Sequence, residues 1–281
     1  MKNIPVLHVE GESIAEVWEN SLKELWMNGI KIKTMYDKPN DPPSLDCTMV
    51  LCIKNPLSEP MIHKDMPMGV EDLQEYVMEV CDGIKDHWIR KTDDPTDTKW
   101  QYTYHQRLFS YVCEKDSLII DQIESVCQQI AKTPFTRRAQ AVTWKVWEDP
   151  NCYDPACLQS IHCRCLEDDD GSQTLNYNVR FRSNDAYKAA QLNMFAITML
   201  ASRMAKRIED LSGKKTVVGR YMHMADSYHL YGSYMEEFKN RFLKNLKDKT
   251  FEDRSINYCD VKDMMDEAIP MILKKVKEAN I

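Results

Sequence analysis

The chain has no excess of positive charge. Its formal net charge is −7 at pH 7, which disfavours a bulk nucleic-acid binder. An anionic ligand must be held by a local basic cluster working against the overall field. A leader pattern is also lacking, since Met1–Leu7 shows no basic stretch followed by an apolar one. No long hydrophobic run is present either. The longest, around Leu192–Met204, is broken by Asn193, Thr198, Ser202 and Arg203, so it is too short and too interrupted to span a bilayer. The 10 cysteines show no disulfide-framework spacing. They read as reduced thiols of a cytoplasmic protein. Cys163 and Cys165, with His162 beside them, lack a CxxC partner pair, so no metal is expected. Internal repeats, low-complexity segments and clear linkers are absent.

What is present is an ordinary globular composition. Of 281 residues, 43% are hydrophobic and 29% charged, enough for a sizeable core. Residues 1–281 are therefore read as one α/β (α+β) domain. Ile4–Val9 reads as a short strand. Ser13 and Glu16 make a capping-box pattern, followed by Ile14, Val17, Trp18, Leu22, Leu25 and Trp26 at helical spacing. Residues 37–44 (DKPNDPPS) are a loop. Met49–Ile53 is a second strand, and Glu71–Val80 and Leu118–Ala131 read as helices. Residues 139–147 and 175–182 alternate as strands. In the second, Leu175, Tyr177, Val179 and Phe181 face one way while Asn176, Asn178, Arg180 and Arg182 face the other. That polar face is either solvated or lines a polar cavity. A long apolar helix is expected over 186–210, and an amphipathic one over Ser233–Leu246.

Four stretches carry residues suited to chemistry. Arg137 and Arg138, in TPFTRRAQAVTW (133–144), stand just before a strand, where guanidinium forks match phosphate oxygens or simply face solvent. Cys157, in DPACLQSIH (154–162), follows a turn. It is either a nucleophile or a small buried hydrophobe. In RFRSNDAYKAAQLN (181–194), Arg182 and Ser183 suit phosphate oxygens. Asp185 suits an amidine-like N–H pair or a helix cap. Asn193 offers both a donor and an acceptor, which suits the imide edge of uracil or an ordinary core amide. In DSYHLYG (226–232), His229 and Tyr231 share a strand face and suit a sugar hydroxyl.

The order of these signals is more specific than any one of them. Paired arginines, a cysteine 19 residues after Arg138, R-S-x-D with an asparagine 11 residues after Arg182, and then H-x-Y together resemble the thymidylate synthase family. The resemblance covers about residues 100–245, and its wording looks most like the divergent archaeal-type branch. It implies a twisted mixed sheet flanked by helices, and a homodimer. By the same resemblance Cys157 would add to C6 of deoxyuridylate. C5 would then attack the one-carbon unit of methylenetetrahydrofolate or a related methylene-tetrahydropterin. Arg182 and Ser183 would bind the nucleotide phosphate, with Arg137 and Arg138 supplied across the dimer interface. Asn193 would read the base, His229 and Tyr231 would hold the ribose, and Asp185 would orient the pterin. Tyr104 would assist proton removal at C5. Glu79 is the first choice for the general base and Glu75 the second. Four arginines at one phosphate would favour the Cys157 thiolate. No metal, membrane or DNA partner is implied. The terminal Ile281 is compatible with a short closing segment.

Several positions depart from the family pattern. Leu158 stands where histidine is usual, His162 where glutamine is common, Ala189 for glycine and Leu192 for phenylalanine. One extra residue separates Asp226 from His229, and EDDDGSQ (167–173) lengthens the loop after the cysteine. Two other readings stay open, the first of them because of the departures on the pterin side. One is a pyrimidine-nucleotide hydroxymethylase, acting on deoxyuridylate or deoxycytidylate, in which water captures the methylene. The other is a non-enzymatic nucleotide- or RNA-binding protein.

Overall fold

The computed structural model describes residues 3–90, 99–113 and 118–279. Ile281 lies outside them. The centre is a mixed sheet. Its main path uses β1 (Val6–Gly11), β2 (Ser44–Ile53), β3 (Gln140–Val142), β4 (Leu158–Glu167), β5 (Gln173–Phe181) and β6 (Thr216–Leu230), in the spatial order β1-β2-β6-β5-β4-β3. The β1–β2 and β5–β6 pairs are parallel; the other pairs along this path are antiparallel. Two short strands pair off the main path, Ile30–Ile32 on β2 and Asn184–Asp185 on β6.

The helices that frame the sheet are α1 (Ile14–Asn28), α2 (Val70–Asp82), α3 (Tyr104–Phe109), α4 (Gln122–Lys132), α5 (Ala190–Ser212) and α6 (Tyr258–Glu278). The buried face is built from strand alternation. Leu175, Tyr177, Val179 and Phe181 on β5 are at most 1% exposed. They pack with Trp18, Phe195, Ile197 and Tyr221 in one continuous core. The other face of β5 is partly exposed. With His162, Arg164 and Arg220, Asn176 and Asn178 line a shallow polar groove there, and Arg180 pairs with Asp226 through two bonds of 3.0 and 3.1 Å. α6 covers α2 through Met78, Ala268, Ile272 and Val276.

Local chemistry moves several boundaries. Ser13 caps α1 by accepting the Glu16 N–H, but the Glu16 carboxylate turns to the N–H of Glu12 instead of closing the reciprocal bond. Residues 118–131 are not one helix. Leu118–Ile120 pairs as a strand with Tyr111–Cys113. Asp121 then caps α4, accepting from Glu124 N. Ile123, Val126 and Ile130 form the buried stripe, while Leu118 and Ile119 stay exposed. The expected strand over 139–147 stops at Val142. Buried Asp149 accepts from Lys145 N at 2.7 Å and from Arg107 at 2.9 Å, which curls the chain away. The long helix begins at Ala190, because Asp185 holds residues 186–189 in a turn. Residues 233–246 break into 3-10, α, π and α segments. Phe238 and Phe242 remain on the buried side, both 0% exposed. Among the described residues no helix is long and apolar enough to cross a membrane.

Candidate active site

A cavity of about 420 Å³ opens where β4, the short strand Asn184–Asp185, α2 and α5 meet. Cys157, Ser183, Asp185, Asn193, His229 and Tyr231 all line it, as does Tyr104. The fold brings together residues from 104 to 231, which the chain keeps far apart.

Cys157 sits on the bend that feeds β4. Three groups hold that bend. Arg182 donates from Nε to the Ala156 carbonyl at 3.1 Å and from Nη2 to the Pro155 carbonyl. The Tyr102 hydroxyl accepts the Cys157 N–H at 3.4 Å, and the Tyr104 hydroxyl accepts the Leu158 N–H at 3.3 Å. Tyr104 reaches this point because Thr103 caps α3, accepting from Gln106 N at 3.0 Å, and leaves Tyr104 as the first helical residue.

The thiolate expectation is not met within one chain. Burial raises the Cys157 thiol above its ordinary value, and Arg182 only opposes the rise. The reason is distance. Arg137 and Arg138 are exposed on the turn before β3 and do not line this cavity. Arg182 is a brace for the cysteine bend as well as a cation near it. Leu158 is 0% exposed and packs inward, so the residue after the cysteine offers no titratable group.

His229 presents a defined acceptor. The Ser227 hydroxyl donates to Asp46 at 2.8 Å. Its 3.3 Å contact with His229 Nδ1 therefore has the histidine donating. Nε2 is left unprotonated, buried and without a partner. Burial lowers the His229 pKa to about 4, so the ring is neutral and awaits an O–H donor. Tyr231 lies just beyond β6 instead of on it, and its ring packs edge-on to His229 at 4.5 Å. The extra residue between Asp226 and His229 is absorbed as a bulge: the β2 pairing slips between Ala225 and Tyr228, which re-aims the end of the strand.

Asp185 caps the turn that precedes α5, whose own N-cap is Ala189. Oδ1 accepts the N–H groups of Tyr187 at 3.0 Å and Lys188 at 2.8 Å, as a turn cap. The residue also lines the cavity. It pairs in register with His229. Burial raises its pKa to about 6 against those two backbone bonds.

The two glutamates divide. Glu79, the first choice, does not line the Cys157 cavity. It lines a neighbouring one of about 520 Å³, with Tyr76 and Tyr104 between the two. Burial raises its pKa, opposed by Lys85 at 2.8 Å. Glu75, one turn earlier on α2, does line the Cys157 cavity. Burial alone would raise it, but Lys275 and Lys85, each at 2.8 Å, hold it below its ordinary value. Helical spacing alone could not choose between residues four apart on one face.

Asn193 is buried, and its amide bonds Tyr76 and Asn184. Three residues tied to it were not singled out in the sequence: Tyr76, Asn184 and His223. Asn184 is the variable position of R-S-x-D. His223 shares the inward face of β6 with Tyr221 two residues before it, a period-2 signal that reads as core. Among the described residues no group of His, Cys, Asp or Glu could hold a metal ion.

The sequence matches the thymidylate synthase family model over residues 60–269. A Methanosarcina mazei protein described as "Putative thymidylate synthase" is 25% identical over 221 residues, covering 78% of this chain and 89% of that protein. A Methanocaldococcus jannaschii protein of the same description is 25% identical over 232 residues, covering 80% and 91%. The fold is similar to that of thermostable thymidylate synthase A from Bacillus subtilis, with a TM-score of 0.60, 18% identity, and coverage of 88% of this chain and 95% of that one. This chain belongs to the thymidylate synthase family.

Proposed function

We propose that the protein methylates deoxyuridylate reductively at C5, taking the one-carbon unit and the hydride from methylenetetrahydrofolate or a related methylene-tetrahydropterin. The observation that carries this reading is the convergence of Cys157, Asp185, Asn193, His229 and Tyr231 on one cavity of about 420 Å³. Cys157 adds to C6 and makes C5 nucleophilic. The unprotonated Nε2 of His229 accepts from a ribose hydroxyl. Asn193 has one amide hydrogen and one oxygen lone pair beyond those bound to Tyr76 and Asn184, enough for the imide edge of uracil. Asp185 keeps Oδ2 for a pterin N–H. Glu75 replaces Glu79 as the preferred base for C5, because it faces the cavity and is held ionised.

The phosphate requires more cations than Arg182 supplies. We assign the rest to Arg137 and Arg138 of a second copy, in a homodimer formed through the partly exposed sheet face. That face carries Val50, Cys52, Met222 and Met224, all half-buried. A closed two-fold dimer would bring each turn to its partner's cavity.

Ala189 and Leu192 on the cavity wall favour a second reading, hydroxymethylation of the same nucleotide. Altered packing on the pterin side would let water reach the exocyclic methylene. Incubating the purified protein with deoxyuridylate and methylenetetrahydrofolate, followed by mass spectrometry, decides between them. Thymidylate with dihydrofolate supports the first reading. Hydroxymethyl-deoxyuridylate with tetrahydrofolate selects the second. Cys157→Ser must abolish either product while nucleotide affinity stays within a few-fold; retained turnover would sink both.

A further inference from the structure

Five side chains form one hydrogen-bonded row from the cavity into the core. Tyr76 donates to Asn193 Oδ1 at 2.5 Å. Asn193 Nδ2 donates to Asn184 Oδ1 at 3.1 Å, and Asn184 Nδ2 to His223 Nε2 at 2.8 Å. His223 Nδ1 meets the Tyr221 hydroxyl at 2.9 Å. Each bond fixes the next. Asn184 Nδ2 can only donate, so His223 Nε2 is bare, and the ring carries its proton on Nδ1 and gives it to Tyr221. The ring cannot readily turn, because it stacks on Phe181 at 4.7 Å and is fully buried.

Such a row has two self-consistent senses. With both amides turned over and the imidazole proton moved to Nε2, every bond survives with donor and acceptor exchanged. Asn193 would then present its NH₂ where its oxygen now lies. Uracil shows an N3–H donor beside the O4 acceptor, whereas cytosine shows an N3 acceptor beside the N4 amino donor. One orientation of a wall amide therefore suits one base and opposes the other.

We propose that Asn184 and His223 are positioning residues that fix the orientation of the Asn193 amide and so decide which pyrimidine the cavity accepts. The proposal rests on Asn193 as the reader of the base. An asparagine by itself does not discriminate, since its amide turns over about χ2. Discrimination comes from the row behind it: turning Asn193 alone would set acceptor against acceptor in a buried place, so its orientation is tied to that of Asn184 and to the position of the His223 proton. His223 suits this task because it does not change charge: burial lowers its pKa to about 3.

The test compares the wild type with Asn184→Leu, Asn184→Asp and His223→Phe in the full chain. Affinities for deoxyuridylate and deoxycytidylate are measured by calorimetry, and kcat/KM for each nucleotide is measured alongside. Aspartate only accepts, so it keeps Asn193 in its present orientation. His223 is then expected to carry a proton on Nε2, facing the aspartate, as read by ¹⁵N NMR. Leucine and phenylalanine cut the row on either side. The wild type is expected to prefer deoxyuridylate. Asn184→Leu and His223→Phe should lower that preference on the order of tenfold or more, and Asn184→Asp should keep it within about threefold. An unchanged preference in either folded cut variant overturns the proposal, and if one does not fold the other decides. ¹⁵N NMR of the wild type gives a reading independent of any variant: His223 protonated on Nε2 would mean the row does not run as drawn, and would overturn it too. A wild type with no preference between the nucleotides fails at Asn193 itself, and that result is distinct from a preference that survives cutting the row.

Discussion

The Tyr104 hydroxyl accepts the backbone N–H of Leu158 at 3.3 Å, one residue beyond the candidate nucleophile. Burial raises the phenol well above its ordinary pKa, so the hydroxyl keeps its proton, and the role expected for Tyr104 is that of a hydrogen-bond donor rather than a phenolate base. Tyr104→Phe should lower kcat about 100-fold with little change in nucleotide affinity. The loss should be equal across pH 6–9 as measured by a pH–rate profile. A loss confined to high pH would point instead to an ionising phenol.

Asp185 should impose an acid limb on pterin binding. It is a carboxylate above about pH 6 and an acid below it. Protonation would place the hydrogen on Oδ2, since Oδ1 already accepts two backbone N–H groups, and turn the oxygen left for the pterin from an acceptor into a donor. KM for the pterin should rise about tenfold per unit as pH falls below 6, while KM for the nucleotide stays flat. Asp185→Asn should remove the pH dependence, leaving weak binding at every pH. Steady-state kinetics from pH 5 to 8 would show this.

The exposed arginines should work across a two-fold axis. Arg138→Ala should weaken nucleotide binding on the order of 10- to 100-fold, and Cys157→Ser should be inactive. Mixed after brief unfolding and refolding, the two should regain about a quarter of native activity, because random pairing leaves one native site in half the dimers. A monomer by light scattering, or no recovery in the mixture, counts against the shared site.

Glu75 and Glu79 should separate by kinetics. Glu75→Gln removes the ionised group on the cavity wall and should cut kcat on the order of 100- to 1,000-fold. Glu79→Gln leaves that wall intact, and kcat should stay within about tenfold. The reverse ranking, measured with saturating nucleotide, would restore Glu79 as the base.

The sequence was most legible where spacing is short and chemistry is local. R-S-x-D and H-x-Y could be read because their residues lie within one or two positions of each other on extended chain. Alternation over 175–182 correctly divided Tyr177 and Phe181 from Asn178 and Arg180. It was least legible where a buried polar group overrides the pattern. Asp121 ends a strand and starts a helix inside what reads as one helix. Asp149 bends the chain after Val142. Neither is visible from periodicity, because each acts through bonds to particular backbone groups.

By itself, the sequence determined the family resemblance, the nucleophile candidate and the set of residue types that a nucleotide and a pterin require. These follow from side-chain chemistry and linear order. Only the tertiary structure decided what those groups can do. It set Glu75 and not Glu79 on the cavity, left Arg137 and Arg138 outside their own chain's site, and raised the Cys157 thiol by burial. It also tied Asn193 to Asn184 and His223. Each of these depends on distance through space and on exclusion of water, and neither quantity is written in the order of residues.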